Sequence, residues 1–298
     1  MEPVNKNGMA GEKTGRHLFG CICVFLSAFL FYVSTAVIRW AESSVSIDAS
    51  FFVFCRFLLG FVVVCFLLVA GRRDLAPKRY DLLIGRTVLN CIAVFCFYKS
   101  VSLTSLAEGN ILNMTYPIFV AVFSWFILKD QRDKVALVMV GLAFLGIWFI
   151  TSPEKMSPNM NNIWGIASGI FAAGAILYLN MSRRYHDTET ILFYLFGLGS
   201  IIIFIIFHDY IYMPNREEAG YLILCAGLGV IGQYVLTLGF RYVTAVEGGI
   251  ISSSRILLAA VLGPWIASEA SLNLKGWIGA LLILFVNIYL AFRKTGEN

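Results

Sequence analysis

Apolar residues in this chain run in long blocks with short polar breaks, rather than alternating or keeping to one face of each segment. Blocks of about 17–25 apolar residues match the length of a helix that crosses a bilayer. Ten such blocks are predicted: 18–39, 48–70, 81–102, 106–128, 134–151, 162–182, 190–207, 219–240, 245–267 and 273–292. The breaks carry glycine and charge, as in Gly71-Arg72-Arg73-Asp74 and Lys129-Asp130-Gln131-Arg132-Asp133-Lys134. Ten spans leave only short loops and tails, so no separate soluble domain is expected. The first block follows Lys13 and Arg16, but it is longer than a signal-peptide core and no small-x-small site ends it. It reads as a retained helix.

Composition agrees with the pattern. Of 298 residues, 59% are apolar and 14% charged, too apolar for a chain whose exterior must face water. This argues against a disordered chain, a disulfide scaffold and a nucleic-acid binder. The seven cysteines all fall inside apolar blocks without a C-x-x-C pair and read as packing residues. The three histidines are far apart, so no metal or cofactor is expected. Charge placement sets orientation. With the N-terminus in the cytoplasm, fifteen Lys and Arg fall inside and five outside, and the other three of the 23 lie within spans. Both termini are therefore expected in the cytoplasm.

A weak internal repeat divides the spans. Ala107-Glu108-Gly109-Asn110-Ile111 resembles Val246-Glu247-Gly248-Gly249-Ile250 at an offset of 139 residues. Carried from 104–130 onto 243–269, that offset gives six identities in 27 positions and ends on Asp130 against Glu269. It lays the fourth span on the ninth, so each repeat has five spans, 1–152 and 153–298. Five is odd, and the second repeat must cross in the opposite sense. The fold predicted is an all-α membrane protein of ten transmembrane helices in two inverted five-helix repeats. Such repeats characterise secondary transporters, with a site near the midplane between the halves.

With these features the sequence resembles the EamA-like branch of the drug/metabolite transporter superfamily, over nearly its whole length. The resemblance rests on Arg56 within Phe54-Cys55-Arg56-Phe57, on Ala107-Glu108-Gly109-Asn110 followed by Tyr116-Pro117, and on the closing acids Asp130 and Glu269. Asp130 departs from the glutamate usual there. Arg56, Arg86 and Arg255 together are similar to the S-adenosylmethionine-type subgroup. The family implies carriage of small organic metabolites by alternating access, without naming one. It also implies a multi-pass protein of a bacterial cytoplasmic (inner) membrane. Its partners are then a small-molecule substrate and the lipid bilayer, with monomer and homodimer both open.

Polar residues inside spans are costly, and each invites a functional reading. Arg255 lies near the centre of the ninth span, Arg56 about a third of the way into the second, and Arg86 close enough to a span end to snorkel. Each either meets substrate or braces helix carbonyls. Ser252, Ser253 and Ser254 match Asn113, Met114 and Thr115 under the repeat, so Asn113, Tyr116, Ser252 and Ser254 are expected to line a cavity or to pack helices. Pro117 is expected to kink the fourth span. Tyr32, Tyr98 and Tyr178 can stack on a ligand or pack, and Asn90 and Gln233 are further wall candidates. Glu108 and Glu247 begin helices, where they cap or take part in gating.

The arginines without a mid-depth carboxylate predict a positive cavity and an anionic or zwitterionic metabolite. They also favour a facilitator or exchanger over an ion-coupled pump. No P-loop is present. Export of amino acids or amphiphilic drugs is the alternative. A polytopic enzyme would need a catalytic loop that is absent, and a channel fits two unlike halves poorly.

Overall fold

The computed structural model describes residues 6–72, 74–127, 134–151, 160–243, 245–266 and 271–295, and among them every regular element is helical. In order these are α1 (Lys6–Glu42), α2 (Ala49–Ala70), α3 (Tyr80–Leu103), α4 (Leu106–Asn113), α5 (Tyr116–Ile127), α6 (Lys134–Thr151), α7 (Asn162–Ser182), α8 (Thr188–Phe207), α9 (Arg216–Gly239), α10 (Ala245–Ile266) and α11 (Leu274–Thr295). A helix satisfies its own backbone groups, which lipid cannot do for it. Six helices, α1, α2, α3, α7, α8 and α9, are long and apolar enough to cross a membrane. Shorter apolar stretches occupy Gly141–Ile150, Ile251–Ile266 and Leu274–Tyr289. Side chains such as Val62, Phe66, Trp148, Ile205 and Ile223 are exposed on the outside of the bundle, as suits a lipid-facing surface.

The helix starts are set by local chemistry. Asp48 Oδ1 accepts from the Ser50 amide at 2.8 Å and opens α2, Asp187 does the same for α8 through Thr190, and Asn215 with Glu218 forms a capping box at α9. Ser105 caps α4 by accepting from the Glu108 amide at 3.0 Å, which leaves Glu108 in the first turn, where the helix dipole favours a carboxylate. The Glu247 side chain, Asp130 and Glu269 lie outside the described residues.

The fourth predicted span is where structure and expectation part. Instead of one kinked helix there are two, α4 and α5, separated by Met114 and Thr115. Pro117 has no N–H to give Asn113, and its ring would crowd that carbonyl. The chain tightens instead. The Thr115 amide donates to Leu112 O at 3.1 Å, its hydroxyl to the same oxygen at 2.6 Å, and the Ile118 amide to Thr115 O at 2.9 Å. Pro117 then falls in the first turn of α5, where a missing N–H costs little.

The packing follows the 139-residue offset, which carries α1 onto α7, α2 onto α8, α3 onto α9, the α4–α5 pair onto α10 and α6 onto α11. The helices α1 and α9 pack together, as do α3 and α7, and the offset exchanges these two interfaces. The pairs α2 with α8, α6 with α11, and α4 with α10 also pack, and each maps onto itself. Between α6 and α11 the backbones nearly touch: a Cβ on Gly279 would stand 2.5 Å from Gly146 O.

Candidate functional site

Eight helices converge on one cavity. From the first half come Phe31 of α1, Arg56 of α2, Arg86, Asn90 and Phe97 of α3, Asn113 of α4, Met114 at the break, and Tyr116 of α5. From the second half come Ala172, Ala175 and Ile176 of α7, Gln233 and Leu236 of α9, and Ser252 and Arg255 of α10. All three in-span arginines therefore reach the same space. No acidic side chain is among the described lining residues.

Each guanidinium is held differently. Arg56 Nη1 donates to the Tyr98 hydroxyl at 3.1 Å and Nη2 to Gln233 Oε1 at 3.4 Å. Its side chain fits because residue 229 is glycine, where a Cβ would lie 3.0 Å from the arginine Cδ and Nε. Arg255 Nη2 donates to Asn113 Oδ1, and its guanidinium stands 4.9 Å from the Phe97 ring centroid. Arg86 Nη1 donates to Ala175 O at 2.7 Å. Arg86 is 2% exposed, so it does not snorkel: the α7 carbonyl lies nearer than either end of its helix. Phe31 lies between two charges, 4.9 Å from the Arg56 guanidinium and 5.9 Å from that of Arg255. These contacts are cation–π attractions, and they hold two like charges side by side where no carboxylate among the lining residues separates them.

Behind the wall, side chains brace this arrangement. Asn113 Nδ2 donates to Ser168 Oγ of α7 at 3.0 Å. Asn287 of α11 is buried, and its Nδ2 donates both to Met114 O at 3.1 Å and to Ser253 Oγ at 2.8 Å. It thereby ties the helix break to α10. Asn287 escaped the sequence reading, although a lone amide inside Leu284-Phe285-Val286-Asn287-Ile288 carried the same signal as Asn90.

Eight of the predicted wall residues line the cavity: Arg56, Arg86, Asn90, Asn113, Tyr116, Gln233, Ser252 and Arg255. The other four lie elsewhere. Tyr98 stands one layer back, holding Arg56 and sharing a hydrogen bond with Ser34. Tyr32 is packed into the apolar core. The Tyr178 ring lies against Gly85, where a Cβ would collide with it. Ser254 is half-buried outside the lining. Pro117 follows Tyr116 in α5 and is not among the lining residues. Among the described residues no group of three His, Cys, Asp or Glu comes together to hold a metal ion.

Comparison with known proteins supplies the context. The model of the EamA-like transporter family matches the chain twice, over residues 18–152 and 159–292. The pseudopaline exporter of Pseudomonas aeruginosa is 24% identical over 279 residues, covering 93% of this chain and 97% of the exporter. Human solute carrier family 35 member G1 is 23% identical, covering 94% of this chain and 80% of the carrier. A transporter of Helicobacter pylori is 28% identical over 216 residues, 69% of this chain and 72% of its own length. One solved crystal structure shares the fold, with a TM-score of 0.63 at 16% identity over 92% of this chain and 98% of that one.

Proposed function

The chain belongs to the EamA-like transporter family, and from that premise we propose that it carries a small anionic or zwitterionic organic metabolite by alternating access through the arginine-lined cavity. That it is a multi-pass membrane transporter, not an enzyme, follows from the family and the relatives. Ten spans in two inverted halves are the topology we infer. The two-fold match to the family model supports it, as does an interhelix pairing that survives exchange of the halves. The charge asymmetry of the loops supports cytoplasmic termini, and the bacterial relatives favour a bacterial inner membrane.

One observation carries the substrate class. Three buried guanidiniums share a cavity whose described lining has no carboxylate, so an anion entering it meets uncompensated positive charge of low mobility. Such preorganised charge favours carboxylate or phosphate. The aromatic pair Phe31 and Phe97 supports a second reading, export of amino acids or amphiphilic drugs, because the same wall presents flat apolar surface.

Flux in proteoliposomes against a metabolite panel tests the proposal. Removing one partner from a buried charge contact costs roughly 2–5 kcal/mol, so Arg255→Ala is expected to weaken apparent substrate affinity about 30-fold or more. An Arg255→Ala protein that transports as the wild type does refutes a site at this cavity.

A further inference from the structure

We propose that the substrate carries two separated anionic groups and bridges Arg86 to Arg255, tying the first half of the molecule to the second. This deepens the anionic-metabolite reading above and rests on it. The argument starts from unmet hydrogen bonds. A guanidinium has five N–H donors in a planar fork. Arg86 is 2% exposed and Arg255 4% exposed, and the Nε of each is buried with no hydrogen-bond partner among the described residues. A charged donor left so is among the costlier defects a buried site can hold. Arg56, also buried, differs: both its terminal nitrogens are engaged, by Tyr98 and Gln233. Of the three cavity arginines, two therefore have an open demand for an acceptor.

Their placement makes the demand double rather than shared. Arg86 leaves α3 and is fastened to α7 through the Ala175 carbonyl. Arg255 leaves α10 and is fastened to α4 through Asn113. The two are thus anchored to different helix pairs, and each contributes a charge to the same cavity. A single carboxylate satisfies one guanidinium fork bidentately and leaves the other unmet. A molecule with an anionic group at each end satisfies both, and its middle passes the apolar wall of Phe31, Phe97, Ala172 and Ile176. Arg56, already held by Tyr98 and Gln233, adds background positive charge without asking for a bond of its own.

The test uses straight-chain acids as probes. The full-length protein in detergent is titrated with succinate, glutarate and adipate, and in parallel with the monoacids of equal length, butyrate, valerate and hexanoate. Midpoint shifts of thermal unfolding are converted to dissociation constants. The expected result is one diacid length bound at least ten-fold more tightly than its monoacid. Arg86→Gln and Arg255→Gln are each expected to bring that ratio close to one, while Arg86→Lys and Arg255→Lys retain most of it. Equal binding of mono- and diacids at every length overturns the bridge but leaves an anion carrier standing. So does a full diacid preference surviving in Arg86→Gln. Binding of amines or neutral solutes with no response to any acid overturns the anionic reading itself. If a glutamine variant does not fold, the wild-type length series alone decides between bridge and single contact.

Discussion

Replacing Asn287 with leucine tests whether the helix break is held open by a specific bond. In an unbroken helix Met114 O would accept from Ile118 N, but that amide bonds Thr115 O instead, and Asn287 Nδ2 fills the place at 3.1 Å. Leucine has similar size and no donor, so the Met114 carbonyl becomes a buried orphan, at a cost of about 1–3 kcal/mol. Ser253 suffers less. Its hydroxyl still donates to Gly249 O at 2.8 Å and loses only an accepted bond, about 0.5–1.5 kcal/mol. Against these, Asn287 Oδ1 is itself buried without a partner among the described residues, and removing it returns about 1 kcal/mol. The net is a destabilisation of about 0.5–3.5 kcal/mol. At about 2–4 °C per kcal/mol for chains approaching this size, the melting temperature falls by roughly 1–14 °C. Thermal unfolding in detergent, followed by the fluorescence of the six tryptophans, measures it. A cycle with Ser253→Ala and the double variant isolates the Asn287–Ser253 term, expected at about 0.5 kcal/mol or more. An Asn287→Leu protein that melts at or above the wild-type temperature refutes the bracing role.

Other expectations follow from the same reasoning. Gly279→Ala places a Cβ 2.5 Å from a backbone oxygen that has no rotamer to escape into; α6 and α11 must separate, and a loss of about 1–3 kcal/mol is expected in the same melting assay. At Asp48, burial acts to raise the carboxyl, but bonds from the Ser50 hydroxyl and amide and the Lys99 ammonium outweigh it, so its folded-state ionisation lies below the usual carboxylate range. A depressed folded value means the stabilisation is present above the unfolded value and is lost as pH falls through the folded one. Melting curves taken below about pH 4 are therefore expected to drop less steeply in Asp48→Asn than in the wild type. His186 Nε2 accepts from the amides of Lys78 and Arg79 at 3.0 and 3.1 Å, just where α3 begins without a side-chain cap of its own. His186→Phe is expected to speed hydrogen exchange at those two amides several-fold, whereas His186→Gln, which keeps an acceptor, is expected to protect them better; equal exchange in both variants counts against the cap.

The apolar blocks were legible because lipid enforces a simple rule: the described helices coincide closely with the blocks, apart from the fourth and from α1, which begins at Lys6, well ahead of its block. The fourth failed for a local reason. Pro117 announces a disturbance, but the backbone relieves it at Met114 and Thr115, just before the proline, with a bond from a distant asparagine, and no local pattern encodes that asparagine. The arginines were legible individually, since a charge in an apolar run must find company. That all three share one cavity was not, because it depends on how α2, α3 and α10 pack. The tyrosines divided on the same ground. Tyr116 reaches the cavity because it sits just past the break, while Tyr32, Tyr98 and Tyr178 lie on faces that pack against other helices. Phe31 and Phe97 were hidden among 25 phenylalanines, and the Ala175 carbonyl that holds Arg86 has no side-chain signature at all.

The break between α4 and α5 has no counterpart in α10, which runs unbroken through Ser253 and Ser254. A carrier assembled from two interchangeable halves would reach its two access states by swapping their shapes, and those states would have the same energy. Here the swap would have to mend one helix and break another that has Ile256, not proline, at the place matching Pro117. If the chain works by alternating access as proposed above, its two states would be unequal before any substrate binds, the cavity would rest open to one side of the membrane, and binding energy would be needed to open it to the other.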